Sequence, residues 1–332
     1  MSGPPLLEAR GLRKAYPLGP GLFRSGKGQI GALRGVSFAI LEGESVALVG
    51  ESGSGKSTVG RLLVGLESPS GGEVFFRGRP LSSLSSEETA RFRREVQIVF
   101  QDPFGSLNPR IPVGRAIAEA LAVHRIARGR GAAERTGELL RLVGLKEADG
   151  DRYPHEFSGG QRQRVCIARA LAVEPRFLVA DEPVSSLDVS IQAQIVHLLL
   201  ELRAQLGLGY LVISHNLGIV GQLAERVLVL YLGQVVEEGP TRSVFPTPLH
   251  PYTKALIEAI PRPDPARRGE RRLLKGDVPS SSAPPAGCPF HPRCPEVMDR
   301  CRREASPWWE PTPGHRATCH LHDRLASRNL AG

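Results

Sequence analysis

An α/β fold on an open sheet is predicted for this chain by three features of its sequence. Short apolar runs alternate with longer stretches of helical periodicity up to about residue 260, the pattern of strand–helix units. A glycine-rich loop joins one such run to a helical stretch. Three of the runs end in a polar residue, and strand C-termini are where ligands sit in open α/β sheets.

Ser45 to Gly50 (Ser-Val-Ala-Leu-Val-Gly) reads as a buried strand, and Thr58 to Leu66 as the helix after it. Phe177 to Ala180 is a second buried strand, ending in Asp181-Glu182, and Leu208 to Ser214 a third, ending at His215. Ala116 to Gly144 carries apolar residues at helical spacing with few strand signals, which predicts an inserted helical subdomain. Pro261-Arg-Pro-Asp-Pro265 and Pro279-Ser-Ser-Ser-Ala-Pro-Pro285 mark extended backbone, so the chain divides near Pro261. Four of the five cysteines lie beyond that point.

Composition narrows the class. The 332 residues are 41% hydrophobic and 23% charged, an ordinary globular balance. No apolar run approaches the ~18–20 residues that cross a bilayer; Val227 to Leu232 and Ile195 to Leu200 are core-sized. Met1-Ser-Gly-Pro-Pro lacks the pattern of a signal peptide, so a cytoplasmic protein, or one peripheral to a membrane from that side, is expected. The net charge is +9, and from Pro261 onward 13 Arg/Lys stand against 8 Asp/Glu. With only six lysines and no basic run interleaved with aromatics, this reads as an arginine-biased solvated surface, with weak attraction to lipid headgroups as the alternative.

Gly50, Glu51, Ser52, Gly53, Ser54, Gly55, Lys56, Ser57 and Thr58 match G-x-x-x-x-G-K-[ST] between the first predicted strand and its helix. Glycines let the backbone wrap a triphosphate, and the helix N-terminus adds positive potential. Lys56 is expected to reach the β- and γ-phosphates and Ser57 to complete a Mg²⁺ shell. Asp181 is expected to hold the Mg²⁺, and Glu182, one residue further out, to polarise the attacking water as general base. A bare turn and a plain helix start are the alternatives for these two motifs.

Phe157-Ser-Gly-Gly-Gln161 resembles the signature sequence of ABC-type ATPases, with Phe where Leu is commoner. Gln101, in Val99-Phe-Gln-Asp-Pro, is similar to that family's glutamine-loop residue. Ser185-Ser-Leu-Asp188 resembles the D-loop, His215 in Val212-Ile-Ser-His the switch histidine, and Tyr16 the aromatic that stacks on adenine. The motifs occur in family order. The resemblance implies a nucleotide-binding domain over residues 1–260, with a RecA-like core, an antiparallel β subdomain and a helical signature subdomain at about 102–173. It implies that Ser158, Gly159, Gly160 and Gln161, with Asp188, act on ATP held by a partner chain's phosphate loop. It also implies that His215 contacts the γ-phosphate and that Ser57, Gln101 and Asp181 surround Mg²⁺.

The flanks are similar to the peptide/nickel branch of that family, the oligopeptide and dipeptide importers. The likeness runs through Val49 to Thr58, Gln101-Asp-Pro-Phe-Gly-Ser-Leu-Asn-Pro-Arg110, Arg152-Tyr-Pro-His-Glu-Phe-Ser-Gly-Gly-Gln161, Leu187-Asp-Val-Ser-Ile-Gln-Ala-Gln194, Pro248-Leu-His-Pro-Tyr-Thr-Lys-Ala-Leu256 and the tail Gly287-Cys-Pro-Phe-His-Pro-Arg-Cys-Pro295. The insertion from Pro17 to Gly31 favours the second of the two ATPases such importers carry. The implied partners are a second ATPase, forming a heterodimer, two membrane permeases and an extracytoplasmic peptide-binding protein, with the chain on the cytoplasmic face of the membrane. Peptide, nickel and some sugar importers share similar ATPases. Asn216 departs from the usual Asp after the switch histidine, with a small effect expected on the loop.

In the 261–332 extension, Cys288, Cys294, Cys301 and Cys319 are separated by 5, 6 and 17 residues and lack the C-x-x-C pairs of structural zinc sites. A cytosolic setting argues against disulfides, and thiolates are favoured iron–sulfur ligands. Peptide-importer ATPases with this tail resemble ones carrying a [4Fe–4S] cluster; zinc and unligated thiols are the alternatives. His291, His315 and His320 are read as loop histidines and Cys166 as core. A soluble ABC ATPase acting on DNA or ribosomes is disfavoured by the single cassette and the lack of a coiled-coil arm between Gln101 and Phe157. A non-hydrolysing regulator is disfavoured by intact Lys56, Asp181, Glu182 and His215.

Overall fold

The structure is a computed structural model that describes residues 4–17, 29–185, 187–260 and 276–322. Most of the 17–31 insertion, Met1 to Gly3, Ser186 and the Pro261–Pro265 stretch lie outside the described residues. In chain order the strands are β1 (Leu7–Pro17), β2 (Gln29–Ile40), β3 (Ser45–Val49), β4 (Gly71–Phe76), β5 (Arg79–Pro80) and β6 (Val96–Val99). They continue as β7 (Phe177–Asp181), β8 (Gly209–Ser214), β9 (Arg226–Tyr231), β10 (Gln234–Pro240), β11 (Trp308–Thr312) and β12 (His315–Thr318). The helices are α1 (Lys56–Leu63), α2 (Ser86–Glu95), α3 (Pro103–Ser106), α4 (Val113–Val123) and α5 (Gly129–Leu142). After them come α6 (Gly159–Leu171), α7 (Val189–Leu206), α8 (Leu217–Leu223), α9 (Thr241–Val244) and α10 (Pro251–Glu258).

The main sheet runs β11-β12-β10-β9-β3-β8-β7-β6. Its centre, β9-β3-β8-β7-β6, is parallel throughout. These strands are apolar without alternation because helices cover both faces; Val46 through Val49 are wholly buried. Parallel pairing brings the C-termini of β3, β7 and β8 to one edge, which carries Gly50, Asp181 and His215 together. A second, antiparallel sheet, β2-β1-β4-β5, packs its apolar face with α1 into one core. α1 lies close on the main sheet: a Cβ at Gly60 would fall 2.8 Å from Ile213 Cδ1.

Helix boundaries differ from the sequence expectation in two places. α1 begins at Lys56 rather than Thr58 and ends at Leu63 rather than Leu66, because Gly65 turns left-handed at φ +69°. The 116–144 periodicity belongs to two helices, α4 and α5, broken at Arg125 with φ +58°. Val113, Ile117 and Leu121 of α4 lie at i, i+4, i+8 and join α6 and α7 in a continuous core.

The residues after 275 return to the main sheet. β12 pairs antiparallel with β10 at Glu237↔Ala317 and Glu238↔Arg316. Glu237, wholly buried, accepts from Leu249 N–H and His250 N–H at 2.8 Å each and pairs with His315 Nε2 at 2.8 Å. A buried carboxylate is tolerated only when so surrounded.

His250 caps α10, its Nδ1 accepting from Tyr252 N–H at 3.0 Å. Burial pushes its pKa down to about 4, against a smaller upward pull from Glu237. The unfolded value is about 6.5, so His250 leaves stability intact above that pH and removes it as pH falls towards 4, by about 3 kcal/mol in full. His250→Asn keeps a capping oxygen and does not titrate. Urea midpoints at pH 7 and pH 4.5 are expected to differ less in that variant; an equal loss would exclude His250.

Candidate nucleotide site

The turn from β3 into α1 forms the phosphate loop, and two of its three glycines are required by contact. Gly50 has φ +154°, and a Cβ there would fall 2.2 Å from Leu230 O. Gly55 has φ +105°, and a Cβ there would meet Ala32 O at 2.6 Å. The loop is thus clamped between β2 and the β9–β10 turn, where Gly233 N–H donates to Ser54 O at 2.9 Å. α1 starts with no side-chain cap and no acid in its first turn, which leaves its N–H groups and positive end for an anion.

Lys56 spans the loop, donating from Nζ to Gly50 O at 2.8 Å and Glu51 O at 3.0 Å. Burial lowers its pKa, while Glu182, Asp181 and Glu51 raise it. Ser57 Oγ donates to Asp181 Oδ1 at 3.0 Å. Burial raises the Asp181 pKa and the Ser57 hydrogen bond lowers it. This hydroxyl–carboxylate pair is the hard oxygen donor set that suits Mg²⁺.

Glu182 lies one residue beyond β7 in a left-handed conformation, φ +47°. For a non-glycine residue this stores about 1–3 kcal/mol of strain, which concentrates at functional sites. Its N–H donates to Ile213 O at 2.9 Å, and its Oε2 stands 3.2 Å from His215 Nδ1. A cleft of 670 Å³ is lined by Glu51, Ser52, Gly53, Gly55, Lys56, Ser57 and Thr58 together with Ala32, Gln101, Glu182 and His215. Acid, histidine and glutamine therefore face one space with the loop.

Tyr16, on β1, donates to Glu67 at 2.6 Å, and its hydroxyl also interacts with Thr58. Lys14 Nζ lies 5.2 Å from its ring centre. Lys14 and Glu67 had no motif to reveal them. Asn216 caps α8, its Oδ1 accepting from Gly218 N–H at 3.0 Å. An Asp would accept the same bond, which gives the physical reason to expect a small effect.

Ser158 and Gln161 form a reciprocal capping box at the start of α6, with Gln161 N–H on Ser158 Oγ at 3.3 Å and Ser158 N–H on Gln161 Oε1 at 3.0 Å. Gly160 is the close-packing point, since a Cβ there would lie 2.4 Å from Ile191 Cγ2. Gly159 meets Leu187 in the same way, so the signature rests directly on the segment carrying Asp188. Asp188 is exposed before α7. None of Ser158 to Gln161 lines the cleft of their own phosphate loop.

Cys288, Cys294, Cys301 and Cys319 lie close enough to influence one another electrostatically. Burial raises the Cys288 thiol pKa and pushes Cys294 up to about 11 and Cys319 up to about 12. Backbone N–H groups of Phe290 and His291 act against this at Cys288, that of Glu296 at Cys294 and that of Leu321 at Cys319. N–H groups turned on sulfur suit thiolate ligands. Yet among the described residues no three His, Cys, Asp or Glu stand gathered in a metal-holding array. His291 bonds Cys288 O, His315 bonds Glu237 and His320 bonds Glu304 O. Cys166 is buried in the helical core with its pKa pushed up to about 11 by burial.

Fold and site together define a phosphate-loop ATPase. The family described as "ABC transporter" matches residues 33–185, and that described as "Oligopeptide/dipeptide transporter, C-terminal region" matches 236–301. The chain is 46% identical to the dipeptide transport ATP-binding protein DppF of Haemophilus influenzae over 315 residues, 95% of this chain and 96% of that one. It is 45% identical to the oligopeptide transport ATP-binding protein AppF of Bacillus subtilis over 320 residues, 96% and 97% of the two. A dimeric ATP-binding cassette solved in a post-hydrolysis state with ADP and Pi superposes with a TM-score of 0.62 at 31% identity, over 71% of this chain and 99% of that one. The chain belongs to the ATP-binding subunits of ABC transporters. Its core is accordingly an ABC-type nucleotide-binding domain that uses ATP, and no helix among the described residues is long and apolar enough to cross a membrane.

Proposed function

We propose that this chain is the ATP-hydrolysing subunit of a peptide importer and works as one half of a cassette heterodimer. The observation that carries the reading is the split site: the cleft gathers Lys56, Ser57, Gln101, Glu182 and His215, while the signature at Ser158 to Gln161 faces elsewhere. A signature that does not reach its own phosphate loop is complete only against a partner's. The peptide cargo is supported by the dipeptide and oligopeptide transport relatives and by the C-terminal match.

In this reading the loop N–H groups and Lys56 hold the triphosphate, and Tyr16 stacks on adenine. Ser57, Gln101 and Asp181 would hold Mg²⁺, which would neutralise phosphate charge when bound. Glu182 takes a proton from the attacking water, and His215, hydrogen-bonded to it, fixes the geometry at the γ-phosphate. Ser158, Gly159, Gly160, Gln161 and Asp188 complete the partner's site. ATP drives closure only because it binds the closed dimer more tightly than the open one.

Residues 1–260 form the nucleotide-binding domain, with its helical subdomain at 102–173, and 261–332 the extension. The partners are a second ATPase, two permeases reached at the cytoplasmic face and, through them, an extracytoplasmic peptide-binding protein. Co-expression with the neighbouring permease genes is expected to yield a membrane complex with peptide-stimulated ATP hydrolysis. Stimulation by nickel or sugar alone would reassign the cargo, and co-purification with nucleic acid would reject the importer.

We further propose a [4Fe–4S] cluster on Cys288, Cys294, Cys301 and Cys319, supported by the backbone N–H groups turned on three of the sulfurs; binding requires the thiols to draw closer than they stand among the described residues. Protein purified without oxygen is expected to be brown, with about four irons per chain. A colourless sample with one zinc per chain would replace the cluster by zinc.

A further inference from the structure

The tail touches the phosphate loop. Between Cys288 and Cys294 the chain makes successive turns, with His291 N–H on Cys288 O at 3.1 Å and Arg293 N–H on Phe290 O at 3.0 Å. These turns drive Phe290, wholly buried, among Tyr231, His250 and Tyr252 at ring distances of 5.3, 5.6 and 5.4 Å. They also lay the Arg293 side chain, 5% exposed, on Glu51. The contact is a two-pronged fork, Nη1 to Oε2 at 2.6 Å and Nη2 to Oε1 at 3.0 Å. Glu51 is pinned twice more: its N–H donates to the Tyr252 hydroxyl at 2.8 Å and its carbonyl accepts from Lys56.

Glu51 is an acid inside a loop built to hold an anion. It lines the same cleft as Lys56 and Ser57, and Lys56 feels its charge. Left alone, that carboxylate opposes a triphosphate. A planar guanidinium matched to both oxygens cancels it, and the burial of Arg293 weakens the screening of the pair by salt.

We propose that Arg293 is a positioning residue of the nucleotide site: it neutralises Glu51 and holds its carboxylate against the tail, so that ATP affinity depends on residues 288–294 being in place. The inference rests on the loop binding ATP. It assigns the C-terminal region a part in the reaction of its own chain.

Binding of mant-ATP and steady-state hydrolysis, with Mg²⁺ and the full-length chain, test it in wild type, Arg293→Ala and Arg293→Ala/Glu51→Gln. Arg293→Ala is expected to raise Kd and KM for ATP about tenfold while kcat changes less than about twofold. Adding Glu51→Gln is expected to return Kd to within about threefold of wild type, because the charge that needed cancelling is gone. A purely structural arginine would not be rescued by removing a second charge. Arg293→Gln keeps most of the stem and carries the same comparison should the alanine variant melt early. Wild-type affinity in both arginine variants, or a loss that Glu51→Gln does not relieve, overturns the proposal. Failure of the wild-type chain to bind ATP overturns instead the reading of the loop beneath it.

Discussion

Glu182→Gln is expected to bind ATP as the wild type does and to hydrolyse it about 10²–10⁴-fold more slowly, the usual contribution of general base catalysis. The amide keeps the shape of the carboxylate and can still meet His215, 3.2 Å away in the native pair, but it cannot accept the proton of water. Lys56 also loses the favourable pull of the Glu182 charge, which favours retained or tightened triphosphate binding. Equilibrium binding with a slowly hydrolysed analogue, set beside phosphate release at saturating ATP, separates the two quantities. Near-normal turnover in the variant would remove Glu182 as the base.

Lys56→Met is expected to weaken ATP binding by about 10–150-fold, the worth of one charge-assisted hydrogen bond. Its ammonium is buried and already satisfied by two loop carbonyls, Gly50 O and Glu51 O. Phosphate oxygens must therefore compete with those carbonyls, and they succeed because they are charged and the carbonyls are not. Methionine fills the stem's volume, so the fold is expected to survive while affinity falls. Titration calorimetry with ADP and ATP decides it: equal losses place Lys56 on the β-phosphate, and a larger loss for ATP extends its reach to the γ-phosphate.

What could be read without coordinates followed from local physics. β3, β7 and β8 stand out because a strand covered on both faces leaves an uninterrupted apolar run, and their polar ends mark the binding edge. The start of α1 was displaced by two residues because Lys56 and Ser57 are polar members of a functional loop and carry no apolar period. Its end was overrun because Leu66 continues the apolar pattern past Gly65. The break between α4 and α5 had no glycine at the crucial position; Arg125 holds the left-handed turn itself.

The tail was the hardest part to read. β11 and β12 are short and largely polar, and they exist through pairing with β10, far away in sequence. Glu51 and Arg293 are 242 residues apart, and Glu51 and Tyr252 201. Nothing in either neighbourhood announces a partner. Glu51 did carry a weak sign, as an acid in a loop for anions, and such an oddity is worth pursuing to whatever cancels it.

The addition of β12 to β10 also changes which strand forms the margin of the main sheet. Strand edges with free N–H and C=O groups recruit other strands, and β10 would be such an edge without the tail. β12 occupies it, and the new boundary is β11, a five-residue strand interrupted by Pro311, which cannot donate in a ladder. Trimming the chain after α10 would uncover the β10 backbone at Glu237 and Glu238 and strip His315 from the buried Glu237. The tail thus covers the part of the β10 edge that carries Glu237 and Glu238, whatever its thiols hold.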